Sequence, residues 1–274
     1  PSCVIYHGDT MSTAAASIGS SSIFNIGKKT WWNFHLEAGL RSGSIFEPFP
    51  EEISRLISSR YSDVLLAVSD LTEKVLRKNY RGKKIIKVGN TIIDSALISY
   101  NSRKKKNYKG EKNFVLINVH RHENLRNRER LERVIRIIES VKIKAIWPLH
   151  DNTKKYLEEY GFMTRLLKMK NLKIISLTDY ADFISLMANC KYLIADGGSI
   201  QEESLVFKKP CIILRKKTER WEGLSTGINF LTGLSVGRTK KIIYDLENGG
   251  FKVKNFKNPY GEKGVSKKIV DMLM

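Results

Sequence analysis

The side chains able to carry acid, base or anion-binding chemistry fall in five short clusters. The chain has five histidines, His7, His35, His120, His122 and His150, each at or just past the carboxyl end of a predicted strand. In open α/β sheets that edge is where ligands bind. In the first cluster, His7-Gly8-Asp9-Thr10, Asp9 is either a helix N-cap or a catalytic or substrate-positioning carboxylate. The second, His35-Leu36-Glu37-Ala38-Gly39-Leu40-Arg41-Ser42-Gly43, sets a carboxylate directly after a buried strand, then two glycines and Arg41. That makes a poor core and a plausible site, unless Arg41 merely pairs with a nearby acid. In the third, Pro48-Phe49-Pro50-Glu51-Glu52, Pro and acids are an ordinary helix start, which accounts for Glu52. Glu51 sits on a loop able to fold back toward Glu37. Carboxylates held close push their pKa values apart, so one serves as acid while another serves as base.

The fourth cluster is His120-Arg121-His122-Glu123-Asn124, with His150 at the next strand end. A His and an Arg facing a phosphate fit it better than a metal, because no convincing third and fourth ligand accompanies His-x-His-Glu. The fifth is Asp196-Gly197-Gly198-Ser199-Ile200-Gln201-Glu202-Glu203, glycines between a strand and a helix. Free amides and the helix dipole make such a turn an anion cradle. Ser199 and Glu202 also have capping-box spacing. The stretch is neither a dinucleotide-binding Gly-x-Gly-x-x-Gly loop nor a P-loop, which weakens NAD and ATP as cofactors.

These clusters need elements to hold them. Short apolar runs alternate with helical periods along 274 residues, of which 42% are apolar. Strands are predicted at residues 3–6, 31–36, 64–68, 84–88, 114–119, 144–147, 172–175, 192–195 and 211–214, apolar on both faces as buried parallel strands are. Leu125–Val141 is the clearest helix, with apolar residues at 131, 134, 135, 138 and 141. The alternation predicts an α/β fold with two domains. The polar stretch 101–112, which contains Arg103-Lys104-Lys105-Lys106, is the predicted boundary. The domains are then 1–105, 106–260, and a C-terminal helix over 261–274. Four strands before the boundary against five after it, and a start at Pro1 with no Met, make the chain read as part of a longer protein whose first domain is incomplete at its N-terminus.

Composition excludes several classes. No apolar run approaches the ~18 residues of a membrane span. Three cysteines, Cys3, Cys190 and Cys211, form no disulfide scaffold or zinc spacing and suit a reducing cytoplasm. Lys and Arg number 48 against 28 acids, a net charge of +20. The basic residues are spread over the whole chain, so a soluble surface and an anionic small substrate fit them better than a nucleic-acid partner. The residues alone thus point to a phosphorylated or nucleotide-bearing substrate, with acid/base chemistry from the first domain.

Together the motifs resemble the UDP-N-acetylglucosamine 2-epimerase family, in particular its non-hydrolysing type. The matching stretches run in family order: HGDT at 7–10, HLEAGLRSG at 35–43, PFPEE at 48–52, GNTIID at 89–94, HRHEN at 120–124, WPLHDN at 147–152, DGGSIQEES at 196–204, TERWEG at 218–223 and NPYGEKG at 258–264. The resemblance implies two Rossmann-like domains in a GT-B arrangement, with the substrate between them and the last helix crossing back to the first domain. It implies C2 epimerisation of UDP-N-acetylglucosamine to UDP-N-acetylmannosamine, by elimination and re-addition of UDP, with no metal and no cofactor. By motif, Asp9, Glu37 and Glu51 correspond to the catalytic carboxylates and His120 to the His at the leaving group. Gly197, Gly198 and Ser199 correspond to the diphosphate cradle, and Glu203 to the ribose acceptor. Arg41, Arg121, His150 and Arg220 are expected to line the substrate site. The resemblance also implies a homodimer, while the composition argues for no nucleic acid and no membrane partner.

Two departures accompany the resemblance. The cradle reads Asp-Gly-Gly-Ser where the family more often has Asp-Ser-Gly-Gly, and the family's opening Gly-Thr-Arg-Pro-Glu strand has no match in this chain. The alternatives are a hydrolysing epimerase that releases N-acetylmannosamine, a GT-B glycosyltransferase, and a UDP-sugar-binding protein without turnover.

Overall fold

The computed structural model describes residues 3–44, 49–104 and 111–274, the side chains at 103 and 104 excepted. The chain forms two compact units: Pro1–Asp94 with Lys217–Glu222 and Lys257–Met274, and Ser95–Lys216 with Gly223–Phe256. The division therefore falls inside the helix Ile92–Lys104, ahead of the predicted boundary at 105/106. Asn101 and Ser102 continue that helix, and 105–110 lie outside the described residues.

The first unit is built on four parallel strands in the order β1-β2-β3-β4: Cys3–His7, Trp32–Ala38, Val64–Ala67 and Lys84–Lys87. The second is built on six, β5 Val115–Asn118, β6 Ala145–Leu149, β7 Leu172–Ser176, β8 Tyr192–Ala195, β9 Cys211–Ile213 and β10 Asn229–Leu231, in the order β10-β9-β8-β5-β6-β7. All of their pairings are parallel. The α/β class expected from the alternation is observed. The chain winds outward from β5 in both directions, so the β5/β8 gap is a topological switch point, where a ligand site forms between diverging crossovers.

Three expectations need correction. β10 follows the nine predicted strands; Gly227 and Gly233 bracket its short apolar run. β1, β4 and β7 are not buried on both faces, because each is an edge strand, and Ile5 of β1 is 43% exposed. The predicted helix 125–141 is two helices, His122–Leu125 and Arg128–Ile138, because Asn127 caps the second by accepting from Arg130 N at 3.0 Å.

Cores form where the apolar faces meet. In the second unit Leu131, Val134, Ile135 and Ile138 pack under Val115, Ile117 and Trp147, all essentially solvent-free. Each fully buried side chain of this kind contributes about 1.5–3 kcal/mol. In the first unit Val265 and Ile269 of the last helix, Val265–Leu273, pack on Val64, Leu66 and Val88.

That docking explains two of the motifs. In GNTIID, Asp94 accepts from Gly264 N and Ser266 N, both at 2.7 Å, and so satisfies the start of the last helix from a distance. Gly89 has φ +100°, and a Cβ there would lie 2.8 Å from the Tyr260 carbonyl oxygen and 2.9 Å from Val265 Cγ2. GNTIID and NPYGEKG are thus a clasp rather than chemistry. Burial pushes the Asp94 carboxyl up, but the two amide donors outweigh it and hold its pKa below the ordinary value. Asp94→Ala is expected to cost about 1–2 kcal/mol, as loss of a helix cap does. Because the folded pKa lies below the unfolded one, this stabilisation is complete above the ordinary carboxylate range and drains as pH falls through the folded value. Urea unfolding from neutral to acid pH checks it: the gap between wild type and variant should close in acid.

Candidate functional site

The first unit gathers its chemistry at the carboxyl ends of β1 and β2. β1 ends at His7, Gly8 turns the chain with φ +75°, and Thr10, not Asp9, caps the helix Met11–Gly19 by accepting from Thr13 N at 3.2 Å. Asp9 is thereby released from the capping role. In β2 the pairing to β3 shifts register between His35 and Ala38, and Glu37 has φ +62°. A left-handed non-glycine residue at an irregular strand end costs on the order of 1 kcal/mol or more, and such strain concentrates at functional sites.

Two arginines organise these acids. Arg55, from the helix Glu51–Tyr61, donates from Nη2 to Asp9 Oδ2 and from Nη1 to Glu52 Oε2 at 3.0 Å. Arg220, on the returning segment Lys217–Glu222, donates from Nη2 to Glu37 Oε1 at 3.1 Å and from Nη1 to Glu219 Oε1. Glu219 Oε1 also lies 3.6 Å from Arg55 Nη2, and His7 Nε2 lies 3.5 Å from Glu37 Oε2. Burial pushes the Glu37 carboxyl up and Asp9 adds to the push, while Arg220 and Arg55 pull the other way; the net direction is up. A buried carboxyl with a raised pKa beside a second carboxylate is suited to carrying a proton in and out of a reaction.

Several expected residues sit otherwise than the sequence suggests. His35 lies within β2, fully buried, and its Nε2 donates to the Gly8 carbonyl at 2.9 Å. Burial pushes its pKa down to about 4, so it is a neutral prop for the turn that carries Asp9. Arg41 donates to the Leu40 carbonyl, Ser59 Oγ and Tyr80 OH at 2.7, 3.0 and 3.3 Å. These contacts hold its guanidinium in place. Glu52 is not a plain helix-start acid: it is 4% exposed and accepts from Ser42 N at 3.1 Å as well as from Arg55. Glu51 opens the same helix, half-buried, while Pro48 of the PFPEE motif lies outside the described residues. Arg220 holds Glu37 instead of simply lining the site. A cavity of about 390 Å³ adjoins the network, lined in part by Gly39, Arg41, Leu71, Trp221 and Glu219.

The second unit places its polar residues at the β5/β8 switch point. Asp196, fully buried after β8, accepts from His120 N at 3.0 Å, Arg121 N at 3.1 Å and Asn124 Nδ2 at 2.9 Å. It latches the HRHEN loop to the glycine turn. His120 Nδ1 donates to Asn118 Oδ1 at 2.8 Å, which fixes the tautomer and leaves Nε2 as the ring's other nitrogen. The His120 and His150 rings stack with centroids 4.7 Å apart. Burial, and then the neighbouring His120, push the His150 pKa down. A Cβ on Gly197 would lie 3.0 Å from Ile200 Cδ1 and 3.4 Å from His120 Cε1, so a side chain there would crowd the end of Ile200 beside the imidazole. The capping box expected at Ser199 does not form: Ser199 is exposed and makes no side-chain cap to the helix Ile200–Val206. Glu203, 2% exposed on that helix, accepts from Tyr180 OH at 2.9 Å. Among the described residues, no group of three or more His, Cys, Asp or Glu side chains is placed to hold a metal ion, and no helix is long and apolar enough to cross a membrane.

Sequence reasoning missed Arg55, Glu219, Asn118 and Tyr180. Glu219 stands in the TERWEG stretch and Asn118 ends a predicted strand, so position alone offered a weak signal for each. Arg55 stands three residues after Glu52, a spacing that shows only that pair, and Tyr180 offered no signal, because its partner Glu203 is remote in the chain.

The model of the UDP-N-acetylglucosamine 2-epimerase family matches residues 1–274. A UDP-N-acetylglucosamine 2-epimerase of Methanocaldococcus jannaschii is 33% identical over 287 residues, covering 100% of this chain and 75% of that protein. The crystal structure of a Methanocaldococcus jannaschii UDP-GlcNAc 2-epimerase in complex with UDP-GlcNAc and UDP superposes with a TM-score of 0.83 at 34% identity, covering 100% of this chain and 75% of that one. The Neisseria meningitidis UDP-GlcNAc 2-epimerase bound to UDP-GlcNAc superposes with a TM-score of 0.87 at 29% identity, covering 100% and 76%.

Proposed function

The chain belongs to the UDP-N-acetylglucosamine 2-epimerase family, and on that premise we propose that it interconverts UDP-N-acetylglucosamine and UDP-N-acetylmannosamine. The observation that carries this reading is the pair of carboxylates Asp9 and Glu37, each held by its own arginine. The substrate's C2 proton passes to a carboxylate as the C1–O bond to UDP breaks, which leaves 2-acetamidoglucal and free UDP. UDP then re-adds at C1 while a carboxyl returns a proton to the opposite face of C2. Such a pair needs one protonated and one ionised partner in each half-reaction, which the raised pKa of Glu37 supports. Glu51 completes the catalytic set in this reading.

Departure of UDP adds one negative charge to the already charged diphosphate, and that charge needs donors. His120, its Nδ1 tied to Asn118, is assigned to the leaving group, with Arg121 and His150 beside it. The backbone of Gly197, Gly198 and Ser199 is assigned to the diphosphate, and Glu203 to the ribose hydroxyls. Tyr180 then orients the ribose acceptor. Tyr180→Phe is expected to raise KM by roughly fivefold to tenfold with kcat nearly unchanged, the loss of one hydrogen bond to a charged group. Steady-state kinetics check it; a fall in kcat at constant KM would count against the assignment. The reading includes a homodimer acting in the cytoplasm, which sedimentation and fractionation test.

The direct test is a proton NMR time course with UDP-N-acetylglucosamine in D2O. UDP-N-acetylmannosamine carrying deuterium at C2 is the expected product. Free N-acetylmannosamine with UDP would make the protein a hydrolysing epimerase. Bound UDP with an unaltered sugar would leave a binding protein.

A further inference from the structure

One acid in the first unit's network touches both arginines. Glu219 is 3% exposed, accepts from Arg220 Nη1 at Oε1, and holds the same oxygen 3.6 Å from Arg55 Nη2. Arg220 turns its other nitrogen, Nη2, to Glu37, and Arg55 turns Nη2 to Asp9. The order through space is Asp9, Arg55, Glu219, Arg220, Glu37. Residues from four separate parts of the chain thus form one string of alternating charge, with Arg55, Glu219 and Arg220 buried and Asp9 and Glu37 part-exposed at its ends.

We propose that Glu219 is a positioning residue that sets the orientation and the effective charge of both arginines, and through them the surroundings of Glu37 and Asp9. The proposal rests on the epimerase reading for its catalytic consequence. The geometric part follows from the guanidinium, a planar fork with fixed donor directions. With Nη1 of Arg220 held by Glu219, the direction of Nη2 is determined, and that nitrogen faces Glu37. The electrostatic part follows from sign. The groups that face Glu37 are Arg220, Arg55, Asp9, Glu219 and His7, with Glu52 bound to Arg55 behind them. Glu219 offsets part of the arginines' positive charge. Without it, Glu37 faces less compensated cations and gives up its proton at lower pH.

Glu219→Gln is therefore expected to move the basic limb of the kcat–pH profile to lower pH, with KM near its wild-type value. Above neutrality, turnover should fall roughly tenfold for each pKa unit of the shift. Glu73→Gln, which alters an exposed pair with Arg77 on the helix Asp70–Asn79, should leave the profile in place. A second readout does not need turnover. The carboxyl resonance of Glu37, followed in protein made with isotope-labelled glutamate and assigned through Glu37→Gln, should titrate at lower pH in Glu219→Gln than in wild type. A folded Glu219→Gln protein with both the limb and the Glu37 midpoint unmoved would overturn the proposal. If wild type does not epimerise, the functional reading fails by itself and the Glu37 titration still decides the role of Glu219. If Glu219→Gln does not fold, Glu219→Asp decides it. That variant keeps the charge and shortens the reach, so the midpoint should stay while kcat falls; an unchanged kcat would overturn the positioning role.

Discussion

Glu37→Gln is expected to abolish epimerisation while leaving UDP binding intact. Glutamine keeps the shape and the oxygen that accepts from Arg220 Nη2, so the returning segment stays tethered. What it loses is the ability to take up and release a proton. General acid–base catalysis by one positioned group contributes typically about 10²–10⁴-fold, so kcat should fall by roughly three orders of magnitude. Wash-in of deuterium at C2 should fall with it, because proton removal and sugar inversion share the step. UDP affinity should hold, since the glycine turn at Gly197 and Gly198, to which the diphosphate is assigned above, belongs to the other unit. Calorimetric titration with UDP alongside the NMR time course separates the two effects. Turnover near the wild-type level would remove Glu37 from the chemistry.

Arg55→Leu is expected to have the largest effect on stability. The Arg55 side chain is 3% exposed and is shared by Asp9, Glu52 and Glu219. Leucine fills part of the space but leaves those acids without their common cation. Removing one partner of a buried ion pair costs about 3–5 kcal/mol, because the remaining charges stay desolvated and uncompensated. For a protein of this size that lowers the thermal midpoint by roughly 10 °C. Differential scanning calorimetry should show the loss in the first unit, which holds all three acids. Arg55→Lys keeps the charge but not the planar fork, so it should recover part of the stability and little of the activity. An Arg55→Leu protein that melts with wild type would mean that the network contributes nothing net to folding.

Much of this was legible in the chain. Local rules reach as far as local interactions do. Strands such as Val64–Ala67 and Tyr192–Ala195 are continuous apolar runs because both of their faces are covered, and such runs can be read directly. The edge strands defeated that reading, since edge position depends on which strand lies alongside. The glycine turn at 197–198 and the histidines at 120 and 150 stand at the switch point because crossovers diverge there, and strand order was needed to see it. Where two local readings competed, as capping and catalysis did at Asp9, only coordinates could separate them. Thr10 takes the cap, and Asp9 goes to an arginine 46 positions along the chain.

The sequence by itself determined the α/β class, the family motifs in their order, and the acids, histidines and glycines around which a site is built. All of these depend on residue type and on spacing within a few turns. The tertiary structure alone decided which charges meet. Arg220 reaches Glu37 across 183 positions, and Ser69 reaches Glu222 across 153. No periodicity encodes such pairings, because a buried charge is specified by where the backbone brings its partner, and that is set by packing over the whole unit. Arg55 and Glu219 are ordinary surface types in composition. They become the centre of the candidate site only because folding removes them from water, where an arginine and a carboxylate must satisfy one another.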